Sequence, residues 1–350
     1  MKAAVVVEPG RLEVLDVPEP EPGPYQALVE TLSAGLCGTD RHIVAGTFYR
    51  REYPAILGHE SLGRVVEVGE KVRNLAPGDM VLRTAAARPG ERLGEYASAL
   101  GGFAEWALAT DTAALAADGR NDEIRPYDRL QKSVPATFDP IDAGAFIVLK
   151  ETLSWLRKLA DPKGRRVLVI GTGAAALSFV QLAKVGHAAQ VLVLGRRPAR
   201  LERAARLGAD EVFVSTPQHL PDRVRALTDG EGVDLVIEAA GTVEVLEAVP
   251  DCLARGGIIG VYGVSETQSA TFRWSWGRSV PRTWSLRFEE PDEVGIHDEA
   301  WRLVEHGRYQ LKSTLTDVLP FLQIGEAVAR MDSEHTCKVA IDFRPGALPG

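Results

Sequence analysis

Val167-Leu168-Val169-Ile170-Gly171-Thr172-Gly173-Ala174-Ala175-Ala176 is an apolar run that passes straight into a glycine-rich turn. A run apolar at every position suits a strand whose sheet is covered by helices on both faces. Leu177, Val180 and Ala183 follow at helical spacing, so the turn joins a strand to a helix. In that context G-x-G-x-x-G/A has a physical meaning. Gly171 permits the tight turn, Gly173 lets backbone approach a pyrophosphate, and Ala176 leaves room for close helix-strand packing, while Ala174 and Ala175 open the helix at the anion. Alone, the motif is an ordinary strand-helix turn. The sequence around it decides for a dinucleotide site.

Extended and helical segments alternate downstream. Gln190 to Leu194, Glu211 to Val214, Val233 to Glu238 and Ile258 to Tyr262 read as strands, with helical stretches to Gly186, to Gly208 and over Val243 to Ala254. Such alternation requires an α/β fold with a doubly wound parallel sheet. Glu238-Ala239-Ala240-Gly241 and Tyr262-Gly263-Val264 end later strands, where such sheets bind ligands, so Ala240, Gly263 and Val264 are predicted to line the cofactor cleft. The second strand closes on Leu194-Gly195-Arg196-Arg197, 24 residues after Gly171, where an NAD site carries an acid for the ribose diol. Gly195 removes that carboxylate. Arg196 and Arg197, with Arg200 a helical turn further, put positive charge at the unfavourable end of a helix dipole. A bound 2′-phosphate, and hence NADP(H), explains them; solvated arginines are the alternative.

The first 150 residues have a different texture. Ala3 to Val7, Gln26 to Glu30 and Gly63 to Val68 are short β-branched runs cut by Gly and Pro, and Pro77-Gly78-Asp79 turns the chain back for another strand, which predicts a mainly β domain. After about residue 285 the alternation stops. A helix over Asp298 to Glu305 and a closing strand over Lys338 to Phe343 are expected, the strand returning to the first domain. The domain assignment is therefore 1–152 with 286–350, and 153–285.

Composition agrees with two folded domains. The 350 residues exceed one domain of roughly 150, and 45% apolar with 25% charged residues is ordinary for a soluble globular protein. The net charge of −8 gives no general attraction for nucleic acid or anionic membranes. Ala3 to Val7 is too short for the core of a signal peptide, and Ala143 to Leu149 falls far below the roughly 20 residues of a membrane span. Cys37, Cys252 and Cys337, an odd number at wide spacing, argue against a disulfide framework and for a reducing, cytoplasmic compartment.

Cys37-Gly38-Thr39-Asp40-Arg41-His42 and Gly58-His59-Glu60 carry chemistry. A lone cysteine is more often a buried hydrophobe, and His-Glu is a common surface pair. Together they change meaning: Cys and His are zinc ligands, and their 22-residue separation belongs to a site assembled from different loops, as catalytic zinc sites are.

With these residues in view, the chain resembles the zinc-containing branch of the medium-chain dehydrogenase/reductase superfamily, the alcohol and polyol dehydrogenases. The matching pieces, in order over nearly the whole length, are Cys37 to Asp40 with His42, Gly58 to Glu60, Pro77 to Asp79, Gly102-Phe103-Ala104-Glu105, the Gly171 turn, Leu207-Gly208-Ala209-Asp210 and Lys338-Val339-Ala340. The resemblance implies a Rossmann domain beside a mainly β, GroES-like catalytic domain. It implies that Cys37 and His59 bind the catalytic zinc, that Thr39 touches the substrate oxygen, that His42 completes a proton relay, that Asp40 orients the ligands and that Lys338 approaches the cofactor pyrophosphate. A third ligand comes from just before the cofactor domain, where Glu151 in Lys150-Glu151-Thr152-Leu153 matches the Glu-Pro-Leu of polyol dehydrogenases except for Thr152. Glu60 is the rival ligand or a mobile neighbour of the metal.

Arg83 to Gly101 holds no cysteine, so the structural zinc lobe of many family members is missing and one zinc per chain is expected, with Arg88-Pro89-Gly90-Glu91-Arg92 a solvated loop. The implied reaction is hydride transfer between NADP(H) and an alcohol or ketone: a secondary alcohol, polyol, sugar or cyclitol. A zinc-free enone or quinone reductase and a non-catalytic NADPH-binding protein are the alternatives. Trp274, Trp276 and Trp284 with Arg273, Arg278 and Arg282 read as core or subunit packing, or as a wall for a decorated sugar. His187, His219, His297, His306 and His335 fit no ligand spacing. The family usually pairs through its cofactor domains, which implies a homodimer or homotetramer.

Overall fold

The computed structural model describes residues 1–47, 52–264, 271, 273 and 283–344. The chain forms two compact units, Met1–Ile147 with Leu315–Gly350, and Val148–Thr314. Of the aromatic-basic segment, Trp274, Trp276, Arg278 and Arg282 lie outside the described residues, while Trp284 packs partly buried against the core of the second unit.

The first unit is built from two sheets. In the larger, Gln26–Leu36 pairs antiparallel with Glu60–Val68 on one side and Lys338–Asp342 on the other. The expected closing strand thus returns to the first unit, where Ala340 stands opposite Gly35. The Pro77-Gly78-Asp79 turn, held by Gly78 N–H on Val65 O at 2.8 Å, sends the chain into Met80–Leu82 alongside Glu60–Val68. Ala4, Leu36, Ile43, Leu57, Phe103 and Ile341 belong to the core behind this frame.

One residue of the Arg88–Arg92 loop departs from expectation. Pro89 to Arg92 are exposed, whereas Arg88 is half-buried: its Nε lies 3.0 Å from Asp128 Oδ1 and its Nη2 donates to Thr110 Oγ1 at 3.0 Å, with Asp128 fully buried. The segment without zinc-binding cysteines is tied down by an ion pair whose acid lies 40 residues further on.

In the second unit six strands, all parallel, run in the order Glu211–Phe213, Gln190–Leu194, Arg166–Ile170, Val233–Glu238, Leu253–Val261, Ser285–Arg287. This is the strand order of the dinucleotide-binding fold. Val167, Leu168 and Val169 have no exposed surface, as a strand covered on both faces demands. The helix expected over Val243–Ala254 is broken into Val243–Leu246 and a 3-10 turn Val249–Cys252, and the strand begins at Leu253. Pro250, without an N–H to extend a helix, sits at the break.

Residues 286–314 pack with this unit, not with the first as the sequence rhythm suggested. The helix Glu293–Glu305 is anchored by the buried pair Lys150 Nζ–Glu293 Oε2 at 3.3 Å and by Asp292 N–H on Ser154 Oγ at 3.0 Å. Tyr309 Oη then donates to Ser178 Oγ at 2.8 Å. No described helix is long and apolar enough to cross a membrane.

Candidate active site

Strand register brings the ligand candidates together in the first unit. Gly35 pairs with Glu60 across the antiparallel ladder, so Cys37 and His59 flank matched ends of the two strands. Cys37 caps the helix Gly38–Ala45, and its N–H donates to Asp40 Oδ2 at 2.9 Å. The other oxygen, Asp40 Oδ1, lies 3.3 Å from His59 Nδ1. Ligand atoms of Cys37, His59 and Glu60 all lie within 4.8 Å of one another, and among the described residues this is the group of His, Cys and carboxylate side chains placed to share a metal ion.

The electrostatics suit a cation. Burial disfavours the His59 imidazolium, yet the charge and hydrogen bond of Asp40, assisted by Cys37, raise its pKa well above the ordinary value. Glu60 is fully buried, and its Oε1 has no hydrogen-bond partner, an arrangement that is costly for a carboxylate without a cation. Its Oε2 is ion-paired with Lys338 Nζ. That pair needs Gly35, because a Cβ there would come 2.1 Å from Glu60 Oε2. Lys338, the residue implied at the cofactor pyrophosphate, is buried against Glu60. The sulfur, imidazole and carboxylate that converge here are a donor set that zinc accepts.

The two acidic candidates belong to different units. Glu60 joins Cys37 and His59, whereas Glu151 stands in the second unit, on the helix Ala143–Leu159, where Tyr262 Oη donates to its Oε2 at 3.4 Å. Thr39 and His42 are both half-buried on the helix Gly38–Ala45, three residues apart and hence on one face. His42 Nδ1 lies 3.2 Å from Thr47 Oγ1.

A residue without any sequence signal also reaches this site. Arg83 is buried, and its Nη1 donates to the carbonyl of His59 at 2.8 Å. Nothing in the order of residues links positions 59 and 83; the pairing of Glu60–Val68 with Met80–Leu82 does.

In the second unit Gly171 has φ +122°, the left-handed region that favours glycine, and its N–H donates to Leu194 O at 2.8 Å. Gly173 caps the helix Ala174–Val185, so the free N–H groups of its first turn belong to Ala174, Ala175 and Ala176. Gly195 is required by packing: a Cβ there would come 2.5 Å from Thr172 Cγ2. Arg196 is exposed, and the half-buried Arg197 caps the helix Pro198–Arg206. Glu238 organises the remaining loops. Its Oε1 accepts Ala240 N–H at 2.8 Å, and its carbonyl accepts Tyr262 N–H at 2.8 Å and Gly263 N–H at 2.9 Å, leaving Val264 exposed. Burial pushes the Glu238 carboxyl above its usual range.

A parallel sheet with the dinucleotide-binding strand order in one unit and a Cys-His-Glu cluster in a β unit define a dehydrogenase-type architecture. Residues 23–118 match the alcohol dehydrogenase GroES-like domain and residues 173–283 the zinc-binding dehydrogenase family. The chain is 30% identical over 365 residues to a Mycobacterium tuberculosis protein named among the zinc-binding alcohol dehydrogenases, with 99% of this chain and 89% of that one covered. It is 31% identical over 264 residues to the NADP-dependent isopropanol dehydrogenase of Clostridium beijerinckii, with coverage of 74% and 75%. A Sinorhizobium meliloti structure bound to NADP superposes with a TM-score of 0.80 at 25% identity, with 97% and 98% of the two chains covered. The chain belongs to the zinc-type alcohol dehydrogenases of the medium-chain dehydrogenase/reductase superfamily.

Proposed function

We infer that this protein is an oxidoreductase that passes a hydride between NADP(H) and a small secondary alcohol or its ketone, with zinc held by Cys37, His59 and Glu60. The convergence of those three ligand atoms within 4.8 Å carries the reading. Zinc bound there supplies Lewis acidity that lowers the pKa of an alcohol hydroxyl. The rest is the work of the chain. Asp40 commits His59 Nδ1 and so leaves Nε2 for the metal, the usual carboxylate-histidine arrangement. Lys338 offsets part of the negative charge on Glu60 and holds its carboxylate in place. Thr39, two residues after Cys37, accepts the hydroxyl proton and passes it toward His42.

Arg197 at the start of a helix, with no acid at position 195, supports NADP(H) over NAD(H). The NADP-dependent relative and the NADP-bound neighbour support the same choice. Relatives named for isopropanol and for L-threonine 3-dehydrogenation both act on a secondary hydroxyl, which supports that substrate class, with polyols and cyclitols as its larger members. A cytoplasmic homodimer or homotetramer belongs to the same reading. The test is to measure zinc in the purified chain and reduction of NADP⁺ and NAD⁺ with a panel of secondary alcohols, polyols and cyclitols. A zinc-free chain inactive on every member would end the reading.

A further inference from the structure

The geometry points to Arg83 as a positioning residue for the metal centre: its guanidinium holds the main chain of the ligand pair His59-Glu60 and so sets how tightly the site retains zinc. This rests on the zinc reading given above and adds a residue to it. Arg83 follows the strand Met80–Leu82, and its own N–H donates to Ser61 O at 2.8 Å. Its side chain turns back so that Nη1 donates to His59 O at 2.8 Å, while Gln131 Nε2 donates to Arg83 O at 3.3 Å. One arginine thus binds the residues on both sides of Glu60.

The backbone shows that this placement is imposed. Arg83 has φ +60°, a conformation that side-chain-bearing residues adopt at a cost and glycine adopts freely. The other described non-glycine residues in that region are Leu100, His187 and Asp229, none of them buried, whereas Arg83 is 3% exposed. A strained backbone that carries a buried charged donor onto the carbonyl of a metal ligand is over-determined by its surroundings, the pattern that strain shows at functional sites.

Charge alone does not account for the residue. A fixed cation near a divalent-metal site opposes metal binding by Coulomb repulsion, so an arginine acting only through its charge would weaken the site. A positioning arginine strengthens it, because without the clamp the His59-Glu60 peptide must be ordered at the metal's expense. The two roles predict opposite signs when Arg83 is removed.

The experiment is zinc affinity by competition with a chromophoric chelator, on the full chain and on two variants. Arg83→Gly relaxes the backbone and removes the donor; Arg83→Met keeps the apolar stem and removes the donor. Both are expected to bind zinc about 10- to 100-fold more weakly, the usual effect of losing a group that orients a metal ligand. The visible bands of the cobalt-substituted site should shift, with far-UV circular dichroism and NADPH binding by the second unit unchanged. If Arg83→Gly does not fold, Arg83→Met decides on the same readout. Equal or tighter zinc binding in a folded variant overturns the assignment. A parent chain that takes up no zinc overturns instead the reading on which it rests.

Discussion

Asp40 divides its carboxylate between the two proposed ligands from different segments: Oδ2 accepts the Cys37 N–H at 2.9 Å and Oδ1 lies 3.3 Å from His59 Nδ1. The acid is fully buried, so neither contact is shared with water. Asp40→Ala is predicted to weaken zinc binding about 10- to 100-fold, and Asp40→Asn less, because the amide keeps an acceptor. Chelator competition on both variants checks the order; equal affinities in all three proteins would show that the carboxylate orients nothing.

The proton path is predicted to depend on a hydroxyl and an imidazole. Thr39→Val should nearly abolish turnover while leaving zinc content unchanged. His42→Ala should slow turnover by about 10²-fold, at the lower end of the usual 10²–10⁴ for a positioned acid-base group, and change the pH profile. A variant with the parent's rate and profile would mean that solvent carries the proton.

Cofactor preference is predicted to lie with the arginines. Arg197→Ala should reduce the kcat/KM preference for NADP⁺ over NAD⁺ by about 10- to 100-fold, given about 1.5–3 kcal/mol for a hydrogen bond to a charged group. Gly195→Asp is a poor companion change, since its Cβ would meet Thr172 Cγ2 at 2.5 Å. A parent enzyme that prefers NAD⁺ would end the assignment.

Stability of the first unit is predicted to have an acid limit at Asp111. This carboxylate accepts backbone N–H groups of Arg73, Asn74 and Ala114 at 2.7, 2.8 and 2.9 Å. Burial acts to raise its pKa, but these bonds overcome it and hold the group below its ordinary value. A lowered carboxylate stabilises the fold above its unfolded pKa of about 3.9, and that contribution fades as pH falls through the folded value. Asp111→Ala should cost about 2–4 kcal/mol at neutral pH, a lost helix cap plus orphaned donors. Urea unfolding at several pH values should show the gap between parent and variant closing in acid.

The sheet of the second unit was legible because its signal is local: Val167 to Ile170 is apolar at every position, and Gly171 and Gly173 follow in the same few residues. The helix expected over Val243–Ala254 rests on apolar periodicity alone, which does not register the missing N–H of Pro250. Tertiary partners left no local trace. Arg88 reads as a loop residue until Asp128 is seen beside it, and Arg83 as a strand end until its guanidinium is found on His59 O. The pairing of Lys338 with Glu60 follows from the register of strands far apart in sequence. The same register sets Glu60 beside Cys37 and His59, a neighbourhood that sequence spacing does not reveal.

The metal site is tested most directly by elemental analysis of the parent chain, Glu60→Ala and Glu151→Ala, each purified without chelator. About one zinc per chain is predicted for the parent and for Glu151→Ala, as one site with three protein ligands holds one ion, and much less for Glu60→Ala. A parent chain that turns over alcohols without zinc, or a Glu60→Ala variant that keeps zinc while Glu151→Ala loses it, would contradict a centre built from Cys37, His59 and Glu60.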